Sequence, residues 1–144
     1  MGIWKTSSQG VTEQEIQDVE NQLGVCFPKD FIDIVRKPNA GRPTPKVIDV
    51  CGSGEVVRQL LSFLPGGQTY IVEETEDLRD DGLDEKIIPF ANDPFGNYFC
   101  FDFRVSDSNP EIVFYDHETD PDEDDAFTFV SNSFTSFLSN MKDS

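Results

Sequence analysis

The sequence predicts a single α+β domain, and three observations predict it. Helix signals open and close the chain, strand-like runs crowd between residues 87 and 115, and the connectors between those runs are too short to hold crossover helices. Short connectors make neighbouring strands antiparallel, so the expected architecture is a mainly antiparallel twisted sheet of about five to six strands with helices packed on one side. At 144 residues, 37% hydrophobic and with 13 Phe, the chain can fill one sizeable core.

Thr12-Glu-Gln-Glu15 has the form of a capping box, in which the threonine hydroxyl and the glutamate carboxylate satisfy donors that the first helical turn leaves free. A helix starts there. Val11 and Ile16 stand as a hydrophobic staple, Ile16, Val19 and Leu23 recur at helical spacing, and Gly24 supplies the stop. Pro28 opens a second helix at its first position, with Asp30 near the positive end of the dipole. Phe31, Ile34 and Val35 lie on one side, Arg36 and Lys37 near the negative end, and Pro38 terminates it. Asn39 to Pro45, with two prolines and a glycine, reads as a loop.

Val47 to Val50 reads as a strand, and the apolar run Val56 to Leu64 as a longer one, bounded by Gly52 and Gly54 and by Pro65-Gly-Gly67. Gly52-Ser-Gly54 is a turn, since it lacks the lysine of a phosphate loop. Tyr70 to Asp81 reads as a third helix that ends at Gly82. Strands follow at Ile87 to Ala91, Tyr98 to Phe103 and Ile112 to Tyr115. In the middle one Phe99, Phe101 and Phe103 alternate with Tyr98, Cys100 and Asp102, which points three phenylalanines toward the helices. Asp116 to Asp125 holds seven acids and reads as a mobile surface loop that cannot close on a core. Phe127 to Val130 adds a short strand. Phe134, Phe137, Leu138 and Met141 then form a helical stripe behind the caps Ser131 and Ser133.

The 28 acidic residues against 11 basic ones give a net charge of -17, which repels phosphate backbones and anionic membrane surfaces. Nucleic acid and membrane are therefore not expected as partners, whereas a basic protein is steered toward the molecule. Cys26, Cys51 and Cys100 are widely spaced and include no C-x-x-C, so they read as free thiols. The N-terminus carries no secretory pattern and no run of apolar residues reaches membrane-spanning length, so the protein is expected to stay in the cytoplasm.

His117 is the only histidine, so any nucleophile-histidine arrangement would have to use it. Beside an acidic loop it reads as a partly exposed strand-end residue. Asp116, Glu118, Asp120 and Asp122 alternate as calcium ligands can. An EF-hand, though, needs glycine where Pro121 stands and glutamate where Phe127 stands. Carboxylates in a solvated run keep ordinary acidity and give no general acid. The expectation is no catalytic residue, no metal and no cofactor.

The run from Thr12 to Phe31 resembles the opening of the SUKH superfamily, which includes the yeast Smi/Knr cell-wall synthesis regulators and many bacterial immunity proteins. Its hallmark is a helix ending in Leu-Gly, then an apolar residue and a proline before a second helix. Three further blocks are similar: Asn39-Ala-Gly-Arg-Pro43, Ile87 to Asp102, and Val130 to Leu138. Ala40 departs from the usual glycine, and the acidic insert after Glu118 is this sequence's own. The resemblance implies a domain over residues 12–141, after an N-terminal extension (1–11) and before a short tail (142–144).

It also marks Leu23, Gly24, Pro28, Asn39, Gly41, Pro89, Asp93, Gly96, Asn97 and Asp102, for which scaffold roles are expected. Gly96-Asn97 suits a left-handed connector, and Asp93 can accept from backbone donors two residues on. The family implies a protein partner, a polymorphic toxin domain that the protein neutralises, with a regulatory or scaffolding module of the Smi/Knr type as the alternative. Fifteen of the 28 acids fall between Glu73 and Glu85 or between Asp116 and Asp125. The candidate partner-binding residues are therefore Glu73, Glu74, Glu76, Asp77, Asp80 and Asp81 in the first segment. In the second they are Asp116, Glu118, Asp120, Asp122, Glu123, Asp124 and Asp125. The bland reading is that both segments are simply solvated and keep the protein soluble.

Overall fold

The computed structural model describes residues 3–5, 10–36, 41–44, 46–66, 69–121 and 123–142. Its first half runs β1 (Ile3–Lys5), α1 (Glu13–Leu23), α2 (Lys29–Val35), β2 (Arg42–Thr44), β3 (Val47–Val50), β4 (Ser53–Val56) and β5 (Gln59–Leu60). Its second half runs α3 (Ile71–Asp80), β6 (Ile87–Asn92), β7 (Tyr98–Asp102), β8 (Glu111–Tyr115), β9 (Phe127–Ser131) and α4 (Phe134–Ser139). Among the described residues the strands form a five-stranded sheet in the order β5-β6-β7-β8-β9, antiparallel throughout, and two two-stranded ribbons, β1-β2 and β3-β4. The expected α+β class is what the chain adopts.

The capping box forms: the Thr12 hydroxyl accepts from the Glu15 N–H at 3.2 Å, and the Glu15 carboxylate accepts from the Thr12 N–H at 2.9 Å. Gly24 ends α1 at φ 77°, a backbone setting that side chains with a Cβ resist. Pro28 stands one position earlier than expected, as the extended N-cap of α2 rather than its first residue. Asp30 does more than complement the helix dipole, because its Oδ2 accepts from the Thr135 N–H and hydroxyl at 2.9 and 2.8 Å and so ties α2 to α4. Ser133 caps α4, while Ser131 lies in β9 and Met141 packs on the core from beyond the helix end.

Three expectations need correction. The 39–45 segment is not all loop, since Arg42–Thr44 pairs antiparallel with Ile3–Lys5, with Pro43 opposite Trp4. A two-stranded ribbon is all edge, where proline's missing donor need cost no ladder bond. Lys37, Pro38, Asn39, Ala40 and Pro45 lie outside the described residues. The Val56–Leu64 run is not one strand: Val57 donates to Lys46 O, Arg58 to Asn92 O, Leu60 to Gly41 O and Leu61 to Phe90 O. The backbone changes partner almost residue by residue, and the run is apolar because Val57, Leu60, Leu61 and Phe63 are buried. The turn before it falls at Cys51-Gly52, whose φ values of 50° and 89° suit a two-residue hairpin loop, and Ser53 and Gly54 are already strand.

Alternation in β7 works as read. Phe99, Phe101 and Phe103 enter the main core with residues of α1, α2 and α4. There Phe101 stacks on Phe90 at 4.4 Å and meets Phe31 edge-on at 5.0 Å. Pro89 sits in β6 beside a register shift that interrupts its pairing with β7. On the opposite side of the sheet Cys100, Ile87, Val113, Tyr115, Leu83 and Ala126 form a second, smaller buried cluster. The acidic segment leads into a 3-10 turn, Asp124–Ala126, whose alanine, just past Asp125, is 1% exposed and belongs to this cluster. Described residues near each terminus are paired. Val47 and Lys142 exchange backbone hydrogen bonds of 2.9 and 2.8 Å, and β1 holds part of the N-terminal extension on β2.

A candidate acidic face on the far side of the sheet

Ile71, Val72 and Thr75 of α3 are buried, so the acids between and beyond them turn outward. Glu73, Glu76, Asp77, Asp80 and Asp81 are exposed and Glu74 is half-buried. Glu73 and Glu74 suit the positive end of the helix, but Asp80 and Asp81 stand at its negative end, where they gain nothing from the dipole. The cation of this helix does not offset them. Arg79 Nη2 donates to Leu23 O at 3.0 Å and Glu85 O at 2.9 Å, bracing α3 against the end of α1. Among the described residues the ion pairs are Lys86–Asp107 and Arg104–Asp102, and neither uses an acid of α3.

The second acidic segment is folded back on itself. Asp116 N–H donates to Ala126 O, Thr119 N–H to Asp116 O, and Glu123 N–H to Asp120 O. Glu118 N–H donates to the Asp116 carboxylate at 3.0 Å. Glu118, Asp120, Glu123 and Asp125 are exposed and Asp116 is half-buried. Asp122 lies outside the described residues.

These two segments meet. A Cβ built on Gly82, just past α3, would lie 3.7 Å from the Pro121 ring. Beneath the junction two tyrosines stand opposite each other on β7 and β8. Burial pushes the Tyr115 phenol above its usual range, and Cys100, Asp81, Asp120 and Asp116 push it further. Tyr98 is raised to about 12 by burial and then by Glu74, to which its phenol hydrogen-bonds. Glu74 is itself raised by burial and by its neighbours Asp77 and Glu73, against that hydrogen bond. The field of both segments thus converges on one pair of rings.

The residues marked by the resemblance take turn and packing positions where they are described. Asp93 is 3% exposed; its Oδ1 accepts from Phe95 N–H at 2.9 Å and Asn97 N–H at 2.8 Å, and its Oδ2 from the Asn97 side chain at 3.0 Å. Gly96 takes φ 89°. Leu23 is buried, and buried Gly41 accepts from Leu60 N–H. Asp102 is 8% exposed and takes three hydrogen bonds from Arg104 at 2.8 to 3.0 Å. Asn39 lies outside the described residues.

Two features were not foreseen. Asn97 Oδ1 accepts from His117 N–H at 3.1 Å and lies 2.6 Å from His117 Nδ1, so the 93–97 turn anchors the start of the acidic loop. His117 is exposed at the strand end, as expected, with its ring against Gly96. The other is the cover that Leu83 and Ala126 give the far side of the sheet. No sequence pattern announces either, because both join positions far apart along the chain.

Among the described residues no group of three or more His, Cys, Asp or Glu is arranged to hold a metal ion, and no helix is long and apolar enough to cross a membrane. The fold is that of a one-domain α+β protein. A family model described as SUKH_6, SMI1-KNR4 cell-wall, matches residues 13–138, and the chain belongs to that family. No curated protein matches it.

Proposed function

We propose that this protein is an immunity protein that binds and occludes a toxin domain with a basic surface, in the cytoplasm of the cell that makes it and without bond-making chemistry of its own. The observation that carries the reading is the junction of the two acidic segments at Gly82 and Pro121. Segments separated in sequence make one face, whose acids on α3 have no intramolecular cation partner among the described residues. Such a face speeds encounter with a basic partner by one to three powers of ten at low salt, roughly, and falls off as salt screens it. The family description favours a second reading, a cell-wall regulatory module of the SMI1-KNR4 type.

Co-expression with a toxin encoded beside the gene, scored as growth rescue and a purified complex, tests the leading reading. Neutralising Asp122, Glu123, Asp124 and Asp125 together is expected to slow association about tenfold or more at low salt and to flatten its salt dependence. Unchanged kinetics remove the loop from the interface; absence of rescue and of a complex turns the reading toward the regulatory module.

A further inference from the structure

On the same side of the sheet, beyond the tyrosine pair, the strands are less completely covered. Phe129 in β9 is 52% exposed, although its cross-strand partner Val113 is buried. The two line a recess of about 260 Å³ together with Glu111, Glu123, Phe127 and the Asp102–Arg104 pair. Glu111 stands directly opposite Asp102 on the neighbouring strand, a like-charge pairing that costs a sheet stability. Arg104 answers half of it: its guanidinium grips the Asp102 carboxylate and lies 5.3 Å over the Phe127 ring. The recess thus already holds one cation between an aromatic face and a carboxylate.

Next to that occupied position the same combination recurs. Phe129 offers a ring, and Glu111 and Glu123 offer exposed carboxylates that make no ion pair among the described residues. We propose that this second position receives an arginine or lysine side chain of the protein partner, set against Phe129 with its charge toward Glu111 and Glu123. The inference rests on the protein-binding reading above and adds to it a specific anchor point, on uncharged ring surface as well as charge. Cation and ring attract most when water is partly excluded, which the recess does and an open acidic loop does not.

The test uses the full chain and acetyl-tetra-arginine amide as probe, followed through backbone amide shifts. Shifts concentrated at Glu111, Val113, Glu123 and Phe129 are expected, with affinity about threefold to fivefold weaker in Phe129→Leu and weaker again in Glu111→Gln with Glu123→Gln. Asp18→Asn with Asp33→Asn, which removes the same charge from exposed positions of α1 and α2, is expected to leave binding within about twofold. Equal weakening by both charge variants means diffuse attraction and overturns the proposal. Shifts confined to α3, or a Phe129→Leu change from dimer to monomer in gel filtration, overturn it as well, the latter by assigning the face to a second copy. If a toxin complex forms and Phe129→Leu leaves it unchanged, the anchor fails while the immunity reading stands. If peptide binding maps as expected but no toxin is neutralised, the immunity reading fails and the anchor stands.

Discussion

On the helical side of the sheet Phe31 is fully buried, and its ring meets those of Phe27, Phe63, Phe90, Phe101 and Phe134 at 5.0 to 6.0 Å. On the other side the cluster from Leu83 to Ala126 is small, and an acidic turn closes over it. The same strands serve both, so the difference lies in what covers them. Where helices lie, large interlocking rings hold the fold. Where the acidic segments lie, a modest apolar cluster supports a surface of mostly exposed charge. The helical side specifies the structure, and the far side carries the charges to which the proposed function assigns binding.

Substitutions break or sharpen that contrast, the largest effect first. Phe31→Ala is expected to destabilise the protein by about 4 kcal/mol in urea unfolding, because the surrounding rings cannot collapse into the space. A loss under about 1.5 kcal/mol would remove Phe31 from the centre of the core. Asp93→Ala deletes three hydrogen bonds to a buried carboxylate and is expected to cost about 2 to 3 kcal/mol. It also frees the His117 amide to exchange faster with solvent deuterium, and unchanged exchange would sever the turn from the acidic loop. Leu83→Ala should cost only about 2 kcal/mol, the low end for such a change, since a small cluster under a loop can relax. A loss as large as that of Phe31→Ala would erase the contrast between the two sides.

The smallest effect is one of pH. The Glu74 carboxyl titrates above its ordinary 4.5 in the fold, so the native state holds the proton more tightly than the unfolded chain. Its contribution is fully present below that ordinary value and is lost as pH rises through the raised one. Glu74→Gln is expected to flatten this part of the stability curve, and an unaltered curve would place the dependence on other groups.

Much of the helical side was legible because its signals are local. Thr12 and Glu15 announce the first helix, Gly24 its end, and the alternation of Phe99, Phe101 and Phe103 the buried side of the sheet. Asp93 and Asn97 were readable as a turn for the same reason. The far side was not, since its cover depends on partners distant in sequence. Nothing near Ala126 says that it seals Cys100 and Val113, and nothing near Val57 says that it and its neighbours bond in turn to Lys46, Asn92, Gly41 and Phe90. The acidic residues of the candidate site were visible as two segments, but their meeting at Gly82 and Pro121 is a property of the folded chain.

Arg79 carries a consequence for how such a molecule can change. Because its guanidinium reaches inward to the carbonyls of Leu23 and Glu85, the brace between α1 and α3 does not draw on the acids around it. Those acids can be exchanged for neutral or basic residues while the two helices stay locked together.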